Sequence, residues 1–167
     1  MGEVRDITSL KVGLGFDVHA FAEGRKLILG GVDIAHHHGL DGHSDADVLT
    51  HAVADALLGA IRAGDIGKLF PDTDPAYEGA DSLKLLGEVA ALVRSSGYRI
   101  IDIDCVIAAQ APKLSPYRDR MRENIARACA LDIDDVGIKA TTTEHLGYEG
   151  REEGISAQAV ALVARCC

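Results

Sequence analysis

Apolar and polar residues alternate in four stretches of the chain, and a period of two is typical of β-strands. These stretches are residues 11–20, 98–109, 137–142 and 155–165. Two shorter apolar runs, residues 26–29 and 32–35, flank a Gly-Gly pair, which predicts a hairpin with a two-residue turn. The last long stretch also allows a helix from Ser156 onward, because alanine is frequent there.

Apolar residues at helical spacing predict three helices. The first helix covers about residues 44–62, with Ser44 as its N-cap. The second covers residues 81–96, and Gly97 follows its C-terminus. The third begins with Ser115 and a proline at the first helical position. The apolar side of this third helix carries Met121, Ile125, Ala128 and Cys129.

The order of these elements predicts an α/β (α+β) protein: a single domain with a mixed β-sheet, helices layered on one face, and a small peripheral β-hairpin. We expect residues 1–167 to form this domain, with mobile ends at 1–9 and 166–167. Residues 64–75, rich in glycine, proline and acidic side chains, are expected to form a loop. The sheet face without helices is expected to carry small and polar residues, among them Asp17 and His19, and association of subunits through this face would place functional sites at an interface.

Three side chains in the first third of the sequence have the spacing of metal ligands. Asp17 and His19 are two residues apart on the first strand, so both point to the same side of it. His51 is expected two turns into the first helix. The other side of the strand is expected to face the core with Val12, Leu14, Phe16 and Val18.

Two imidazoles and one carboxylate leave a fourth coordination position open, which is typical of catalytic rather than structural zinc sites. Asp-x-His pairs are also common on solvated strand faces that bind no metal, so the pair alone is a weak indication. His51 strengthens the hypothesis, because it adds a third ligand from a neighbouring element.

Composition excludes several classes of function. The chain has 17 lysine and arginine residues against 26 aspartate and glutamate residues, a formal net charge of −9, which argues against general nucleic-acid binding. No apolar run approaches the ~20 residues of a membrane span, and the N-terminal residues resemble neither a signal peptide nor a transit peptide. Four cysteines without a disulfide or zinc-finger spacing fit a reducing compartment, so we expect a cytoplasmic protein, and a bacterial one.

Three segments have the chemistry of phosphate binding. His43 and Ser44 open the first predicted helix, whose free amides favour an anion, with Asp47 at its third position; a plain helix cap is the alternative. Residues 140–144 end a strand with three threonine hydroxyls and a carboxylate suited to Mg²⁺, although threonine also simply favours strands. Residues 109–113 place a cation at a strand end, where an ordinary connection is the alternative.

Two further clusters are expected to be incidental. His36, His37 and His38 are consecutive and do not converge on one ion without unusual backbone geometry, so an exposed loop is expected. Cys166 and Cys167 are expected to form a mobile tail. The sequence has no catalytic serine triad, nucleophile elbow, P-loop or Rossmann fingerprint. A metal would therefore have to supply the electrostatic catalysis.

Several motifs together resemble those of one enzyme family. The motifs are Gly15-Phe16-Asp17-Val18-His19, His43-Ser44-Asp45, and residues 55–60, 64–75, 109–113 and 139–144. Over about residues 12–164 the chain closely resembles the 2-C-methyl-D-erythritol 2,4-cyclodiphosphate synthase family of non-mevalonate isoprenoid biosynthesis. The resemblance implies a homotrimer with active sites between neighbouring subunits.

The resemblance also implies a reaction and its metals. In this family the 2-phosphate of 4-diphosphocytidyl-2-C-methyl-D-erythritol 2-phosphate attacks the β-phosphorus, which releases CMP and closes the cyclic diphosphate. One Zn²⁺ per subunit is implied at Asp17, His19 and His51. A second divalent ion, Mg²⁺ or Mn²⁺, is implied near Glu144 beside the substrate diphosphate.

Further site residues follow from the resemblance, position by position. His43 and Thr142 are implied as stabilisers of the transition state, Ser44 as a contact of the erythritol portion, and the zinc ligands as substrate contacts. The implied substrate-binding loop contains Asp65, Ile66, Gly67, Phe70, Pro71, Asp72, Thr73 and Asp74. The implied cytidine and diphosphate site contains Ala109, Gln110, Ala111, Pro112, Lys113, Leu114, Ser115, Thr141, Thr142, Thr143, Glu144, Tyr148 and Arg151.

The chain departs from the family's usual pattern at a few positions. Leu114 and Ser115 stand where relatives often carry methionine and another apolar residue, and Tyr148 stands where phenylalanine is frequent. We expect small effects on affinity, because backbone groups would recognise the base. The family's trimer axis encloses an apolar channel for an isoprenoid diphosphate, and Arg151 is the residue here that would face such a ligand.

Two other functions are compatible with the same residues. A zinc hydrolase would activate water at the open coordination position and give linear hydrolysis products. A trimeric binding module for isoprenoid diphosphates would bind its ligand unchanged when His19→Ala removes the zinc. The cyclising reaction instead gives CMP and a cyclic diphosphate.

Overall fold

The structure is a computed structural model that describes residues 9–71, 73–77 and 79–166. Its strands are β1 (Leu10–Ala22), β2 (Leu27–Leu29), β3 (Val32–Ile34), β4 (Gly39–Leu40), β5 (Tyr98–Ala108), β6 (Val136–Thr141) and β7 (Gly154–Arg165). Its α-helices are α1 (Val48–Ile61), α2 (Ile66–Leu69), α3 (Ser82–Ser95), α4 (Arg118–Cys129) and α5 (Gly147–Gly150). Single turns of 3-10 helix occupy Pro75–Tyr77, Ser115–Tyr117 and Ile133–Asp135.

Five strands form one mixed sheet in the order β4-β1-β7-β5-β6, and β2 pairs with β3 in a separate hairpin. The central strand β7 runs antiparallel to β1 and β5, while β6 runs parallel to β5. Helices α1, α3 and α4 pack against the sheet and against each other around one hydrophobic core. The predicted α/β class, with helices on one face of a mixed sheet, is therefore confirmed, and the alternative helix from Ser156 is wrong.

Two glycines let β1 lie directly against α1. A Cβ atom added at Gly13 would lie 1.8 Å from the carbonyl oxygen of Ala56. One added at Gly15 would lie 1.9 Å from the carbonyl oxygen of Ala52. Because no side chain fits between helix and strand at these positions, the odd-numbered residues of β1 face α1.

The opposite face of the sheet is apolar and exposed, which shows that the predicted orientation of β1 is wrong. Val12, Leu14, Phe16 and Val18 are 43% to 67% exposed instead of facing the core. The predicted metal ligands Asp17 and His19 lie on the helix side, because they occupy odd positions like Gly13 and Gly15, which approach α1 most closely. We call the exposed surface the apolar sheet face; it comprises Leu10, Val12, Leu14, Phe16, Val18 and Val160.

Helix α1 begins at Val48, and its N-cap is Asp47 rather than Ser44. The Asp47 carboxylate is fully buried and accepts the amide of Thr50 at 3.0 Å and its hydroxyl at 2.8 Å. The predicted helix start at Ser44, with Asp47 at the third position, is therefore wrong. His51 consequently lies in the first turn of α1, not two turns into the helix.

The β2–β3 hairpin has the predicted two-residue turn, with φ of 54° at Gly30 and 67° at Gly31. Its predicted peripheral position is wrong. Leu29 is fully buried, and a Cβ atom at Gly30 would lie 2.7 Å from the Met121 side chain. The two turn amides also donate to the Asp47 carboxylate, at 2.9 Å and 2.7 Å. The hairpin therefore belongs to the core and holds the start of α1.

Smaller differences concern β5 and the third predicted helix. A β-bulge shifts the register of β5, so Ile100 rather than Ile101 is buried with the following apolar residues. The segment from Ser115 begins as a 3-10 turn, and α4 starts at Arg118.

Across the described ranges, every helix is too short or too polar to cross a membrane.

Candidate metal centre and substrate site

Asp17, His19 and His51 converge where β1 meets the first turn of α1. Asp17 Oδ2 lies 3.0 Å from His19 Nε2 and 3.0 Å from His51 Nδ1. The two imidazole nitrogens are 3.2 Å apart. Among the residues that the structure describes, this is the one group of three or more such side chains whose ligand atoms all lie within 4.8 Å of one another. The three ligands predicted from the sequence are therefore brought together.

The spacing of these atoms fits a zinc ion. Zinc bonds of about 2.0–2.1 Å at tetrahedral angles separate neighbouring ligand atoms by about 3.3 Å. The observed separations of 3.0 to 3.2 Å are close to that value. Two nitrogens and one oxygen also match the donors that zinc prefers, and three protein ligands leave one position for a substrate oxygen.

A backbone contact orients His19. Its Nδ1 atom lies 2.5 Å from the carbonyl oxygen of Asp41, and because a carbonyl oxygen only accepts, Nδ1 carries the proton and donates it. His19 Nε2 is therefore the ring atom that can bind a metal, and it lies on the side of Asp17 and His51. Gly42 makes room for this ring, since a Cβ atom there would lie 3.0 Å from it.

The environment of Asp17 keeps this ligand ionised. Without a metal, burial opposes the charge, but hydrogen bonds donated by His19 and His51 and the charges of both imidazoles outweigh it and lower the pKa of Asp17 to about 2. Burial likewise opposes a charge on His19, yet its hydrogen bond to Asp17 raises the pKa of the imidazole above the usual value. Asp17 is thus an anionic ligand at neutral pH.

The contact between α1 and β1 sets the width of the metal centre. Gly15 lies two residues before Asp17 on the same side of β1, and it faces the carbonyl oxygen of Ala52. Ala52 follows His51 directly in α1. A change that moves α1 away from β1 therefore separates His51 from the other two ligands.

His43 and Ser44 lie in the loop that precedes α1. The Arg25 guanidinium holds this loop by donating to the carbonyl oxygens of Gly42 at 2.8 Å and Ser44 at 2.7 Å. His43 is exposed, and its Nε2 atom lies 3.4 Å from the carbonyl oxygen of Asp74. The loop thus brings His43 next to the segment predicted to bind substrate.

The predicted substrate-binding loop begins at Asp65, the N-cap of α2. Asp55 in α1 accepts the amide of Ile66 at 2.7 Å and ties the loop to the helix of the metal ligand. Phe70 is buried, with its ring centroid 5.2 Å from that of Tyr77. The exposed residues of the loop include Gly67, Pro71, Thr73 and Asp74, and Asp72 lies outside the described residues.

The predicted cytidine and diphosphate segments meet at the parallel ends of β5 and β6. Ala108 pairs with Thr141, and the amide of Ala109 donates to the Thr141 carbonyl oxygen at 3.0 Å. Gln110 Oε1 accepts the amide of His145 at 3.3 Å. The buried or half-buried members of these segments are Ala109, Gln110, Ala111, Pro112, Leu114 and Thr143, and the exposed members are Lys113, Ser115, Thr141, Thr142 and Glu144.

Thr142 and Glu144 lie together at the tip of the second segment. Glu144 Oε1 accepts the Thr142 hydroxyl at 3.2 Å. An exposed carboxylate beside a hydroxyl offers the hard oxygen ligands that Mg²⁺ and Mn²⁺ prefer. A single carboxylate supplies few of the ligands such an ion needs, so a substrate diphosphate would have to provide others.

Within one chain this segment is distant from the metal centre. Asp17 pairs with Ala157 of β7, which pairs with Ile107 of β5, which pairs with Ala140 of β6. Three interstrand spacings of about 4.8 Å place the two sites about 14 Å apart across the sheet. The structure therefore gathers the predicted residues into two separate groups at the same end of the sheet.

Tyr148 and Arg151 follow at α5, directly after the threonine segment. Arg151 Nε and Nη2 donate to the two carboxylate oxygens of Glu153, at 2.8 Å and 3.0 Å. Tyr148 is half-buried, and burial raises the pKa of its phenol. Arg151 thus already has an anionic partner within the chain.

Several residues that hold the site were missed by sequence reasoning. No motif links Ser82 to His51, which lies 31 positions earlier, although the two side chains are in hydrogen-bond contact. Asp45 and Asp55 stand within family motifs, and this was the one signal in the sequence for a role of either residue. The missed residues are Arg25, Asp41, Asp45, Asp55 and Ser82.

The chain matches one family model and is similar to proteins of known name. Residues 10–164 match the model of the YgbB family. The chain is 60% identical over 156 residues to the 2-C-methyl-D-erythritol 2,4-cyclodiphosphate synthase of Desulfitobacterium hafniense (strain DSM 10664 / DCB-2), covering 93% of this chain and 99% of that protein. It is 61% identical over 156 residues to the protein of the same name from Geotalea uraniireducens (strain Rf4), again covering 93% and 99%.

A solved structure with the same fold is the IspF (Plasmodium falciparum) CDP complex. It is 30% identical with a TM-score of 0.83, and the alignment covers 97% of this chain and 100% of that one. The mixed sheet and the centre of one aspartate and two histidines define an α/β protein with a candidate metal site. The chain belongs to the YgbB family, whose members above are named 2-C-methyl-D-erythritol 2,4-cyclodiphosphate synthases, and the predicted family is confirmed.

Proposed function

We propose that the protein converts 4-diphosphocytidyl-2-C-methyl-D-erythritol 2-phosphate to 2-C-methyl-D-erythritol 2,4-cyclodiphosphate and CMP, a step of non-mevalonate isoprenoid biosynthesis. The observation that carries the proposal is the triangle of Asp17, His19 and His51, in a chain 60% identical to a protein named for this activity. An oxygen of the 2-phosphate bonds to the β-phosphorus while the bond from that phosphorus to the bridging oxygen breaks. CMP leaves with the electron pair, so water is not consumed.

The triangle holds Zn²⁺ in this proposal. When bound, the ion supplies positive charge that polarises a phosphoryl oxygen. Asp17, His19 and His51 fix where that charge lies, and their hydrogen bonds keep the ligand atoms in place before substrate arrives. Glu144 with Thr142 is assigned to a second divalent ion, Mg²⁺ or Mn²⁺, beside the substrate diphosphate.

The remaining predicted residues are assigned to binding and orientation. His43 and Thr142 donate hydrogen bonds to charge that develops on the transferring phosphoryl group, and Ser44 contacts the erythritol portion. Residues 65–67 and 70–74 are assigned to the substrate-binding loop, while residues 109–115 and 141–144, with Tyr148 and Arg151, hold the cytidine and the diphosphate. Because the chain has a net charge of −9, it depends on these local donors and metals to bind a polyanionic substrate. Holding the attacking 2-phosphate in line with the β-phosphorus also accelerates the reaction by proximity.

We also propose a homotrimer in which neighbouring subunits complete each site. The apolar sheet face supports this, because large contiguous apolar surfaces mark subunit contacts. A second observation supports the trimer: within one chain, about 14 Å separates the metal centre from the Thr142–Glu144 segment. In a trimer, the Thr142–Glu144 segment of a neighbouring subunit would lie beside the metal centre and complete the site. Light scattering is expected to give a mass of three chains, and a monomer at micromolar concentration would contradict the proposal.

Association through the apolar sheet face would also enclose an apolar channel. We assign an isoprenoid diphosphate as its ligand, with Arg151 near the diphosphate. Such a ligand has to compete with Glu153, which already binds Arg151 through both carboxylate oxygens. The cytoplasm of a bacterium is the expected location of the enzyme.

Phosphorus NMR tests the proposed reaction. With the diphosphocytidyl substrate and Mg²⁺, the expected products are CMP and the cyclic diphosphate. Linear hydrolysis products would support the zinc hydrolase instead, and isoprenoid diphosphate binding without turnover would support the binding module. His19→Ala removes one metal ligand and is expected to lower turnover at least about 100-fold, so unchanged turnover would contradict the proposed mechanism.

A further inference from the structure

Ser82 and Asp45 form a hydrogen-bonded chain behind the metal ligand His51. Ser82 Oγ lies 2.9 Å from His51 Nε2 and 2.5 Å from Asp45 Oδ1. The amide of Ser82 donates to the other oxygen of the same carboxylate, Asp45 Oδ2, at 3.1 Å. The chain therefore joins the loop before α1 to the first residue of α3, with His51 at its end.

The carboxylate determines the direction of these hydrogen bonds. An ionised carboxylate only accepts, so the Ser82 hydroxyl donates its proton to Asp45. Ser82 Oγ then offers only lone pairs to His51, and His51 Nε2 must carry a proton and donate it. In this tautomer Nδ1 has the free lone pair, and Nδ1 is the atom 3.0 Å from Asp17 Oδ2.

Neighbouring groups do not provide an equivalent contact. Ser44 Oγ lies at the longer distance of 3.2 Å from His51 Nε2, and it also accepts the amide of Ala46 at 3.2 Å. Ser82 is 1% exposed, so bulk water does not reach the hydroxyl to replace it. Buried polar contacts of this kind are costly to lose, because the remaining partner stays unsatisfied.

We propose that Ser82 and Asp45 are positioning residues that hold His51 in its metal-binding tautomer and orientation. The inference rests on the proposed assignment of Zn²⁺ to Asp17, His19 and His51. Each histidine of the site would then have its own orienting contact. The Asp41 carbonyl oxygen orients His19, and the Ser82 hydroxyl, whose proton points to the Asp45 carboxylate, orients His51. Removal of a contact that orients a metal ligand typically lowers metal affinity about 10- to 100-fold.

Ser82→Ala tests the contact directly. Zinc affinity, measured by competition with a chromogenic chelator, is expected to fall about 10- to 100-fold. Nitrogen-15 NMR of the zinc-loaded protein reports whether the Nε2 proton of His51 is held in a hydrogen bond, because a proton held in this way exchanges slowly with water. Slow exchange is expected in the natural protein, and faster exchange is expected in the variant.

Asp45→Asn tests the direction of the chain without changing its size. An asparagine has one acceptor oxygen and one donor nitrogen in place of two acceptors. If the nitrogen faces Ser82 Oγ, the hydroxyl proton turns toward His51 Nε2 and favours the wrong tautomer. If it faces the Ser82 amide, two donors oppose each other. Either arrangement is expected to weaken zinc binding at least about tenfold.

Two variants in the same helix serve as controls. Asp81→Ala removes the N-cap of α3, which accepts the amide of Leu83 at 3.0 Å, but leaves the chain to His51 intact. It is expected to lower the melting temperature and leave zinc affinity unchanged. Ser95→Ala removes a hydroxyl at the other end of α3, where it donates only to the Leu92 carbonyl oxygen, and is expected to change neither.

The outcomes separate this inference from the assignment of the metal. The positioning role is supported if the natural protein binds zinc and if Ser82→Ala and Asp45→Asn weaken this binding while the two controls do not. Unchanged zinc affinity or unchanged exchange of the His51 Nε2 proton in Ser82→Ala overturns it, as does equal weakening in all four variants. Should Ser82→Ala not fold, the isosteric Asp45→Asn decides by the same two measurements. A natural protein that binds no zinc overturns the metal assignment itself.

Discussion

Gly15→Ala is expected to damage the fold and the metal centre together. The added methyl group would point at α1, where it would lie 1.9 Å from the carbonyl oxygen of Ala52 and 2.7 Å from the amide nitrogen of Ala56. Both obstacles are backbone atoms in the middle of a helix, so no side-chain rotation relieves them. Helix α1 has to move away from β1.

The structure gives the size of that movement. The distance from the new Cβ atom to the Ala52 oxygen has to grow from 1.9 Å to at least 3.0 Å, a retreat of α1 by about 1 Å. Overpacking costs about 1–3 kcal/mol, and we expect a loss of unfolding free energy near 3 kcal/mol because backbone meets backbone. A metal site tolerates errors of only about 0.2 Å in its bond lengths, so zinc affinity should also fall at least about tenfold as His51 moves.

Urea unfolding of the metal-free protein and a zinc competition assay measure the two effects separately. Gly59→Ala is the matched control, because it also adds a methyl group between α1 and β1. There the new Cβ atom lies 3.8 Å from the nearest atom, the Leu14 carbonyl oxygen. Alanine favours a helix interior over glycine by about 1 kcal/mol, so the control should be slightly stabilised with unchanged zinc affinity. A Gly15→Ala protein with natural stability and natural zinc affinity would refute the reasoning.

Three other substitutions test separate parts of the account. Asp47→Asn replaces one acceptor oxygen with a donor, which would face either the amides of Gly30 and Thr50 or the amide of Gly31 and the hydroxyl of Thr50. Urea unfolding should therefore show a loss of about 1–3 kcal/mol, and no loss would contradict the role of that carboxylate. Asp55→Ala leaves the Ile66 amide without its acceptor, so KM should rise about tenfold, whereas Asp55→Asn keeps the acceptor and should restore it. Leu14→Asp on the apolar sheet face should give monomers in light scattering; persistent trimers would exclude this face as the subunit contact.

The strands and the ligand pair were predictable because their causes are local. A period of two identified β1, β5 and β7, and the same period placed Asp17 and His19 on one side of β1. The position of His51 beside this pair was predictable because it required only that a helix follow β1 and pack against it. Family motifs added the two substrate segments, which the parallel pairing of β5 and β6 brings together.

The orientation of β1 was not predictable from alternation alone. Apolar residues at even positions indicate a buried face, but the described residues of this chain leave that face exposed. The informative residues were Gly13 and Gly15, whose missing side chains allow the helix to approach. Both patterns are present in the sequence, and only the packed structure shows that the glycines mark the helix side.

Other errors come from contacts between residues distant in sequence. Ser44 and Asp47 are both good N-caps, and the choice of Asp47 depends on hairpin amides 16 and 17 positions earlier. The Ser82 contact to His51 likewise spans 31 positions and two helices. Local spacing contains no information about which distant donor a buried carboxylate or imidazole will meet.

The central claim is that one zinc ion at Asp17, His19 and His51 is required for activity. The most direct test is elemental analysis and turnover measured on the same purified sample, before and after removal of metal by a chelator. We expect one zinc per chain in active protein, loss of turnover with loss of zinc, and recovery of both when zinc is returned. Full turnover in protein that contains no zinc would contradict the account.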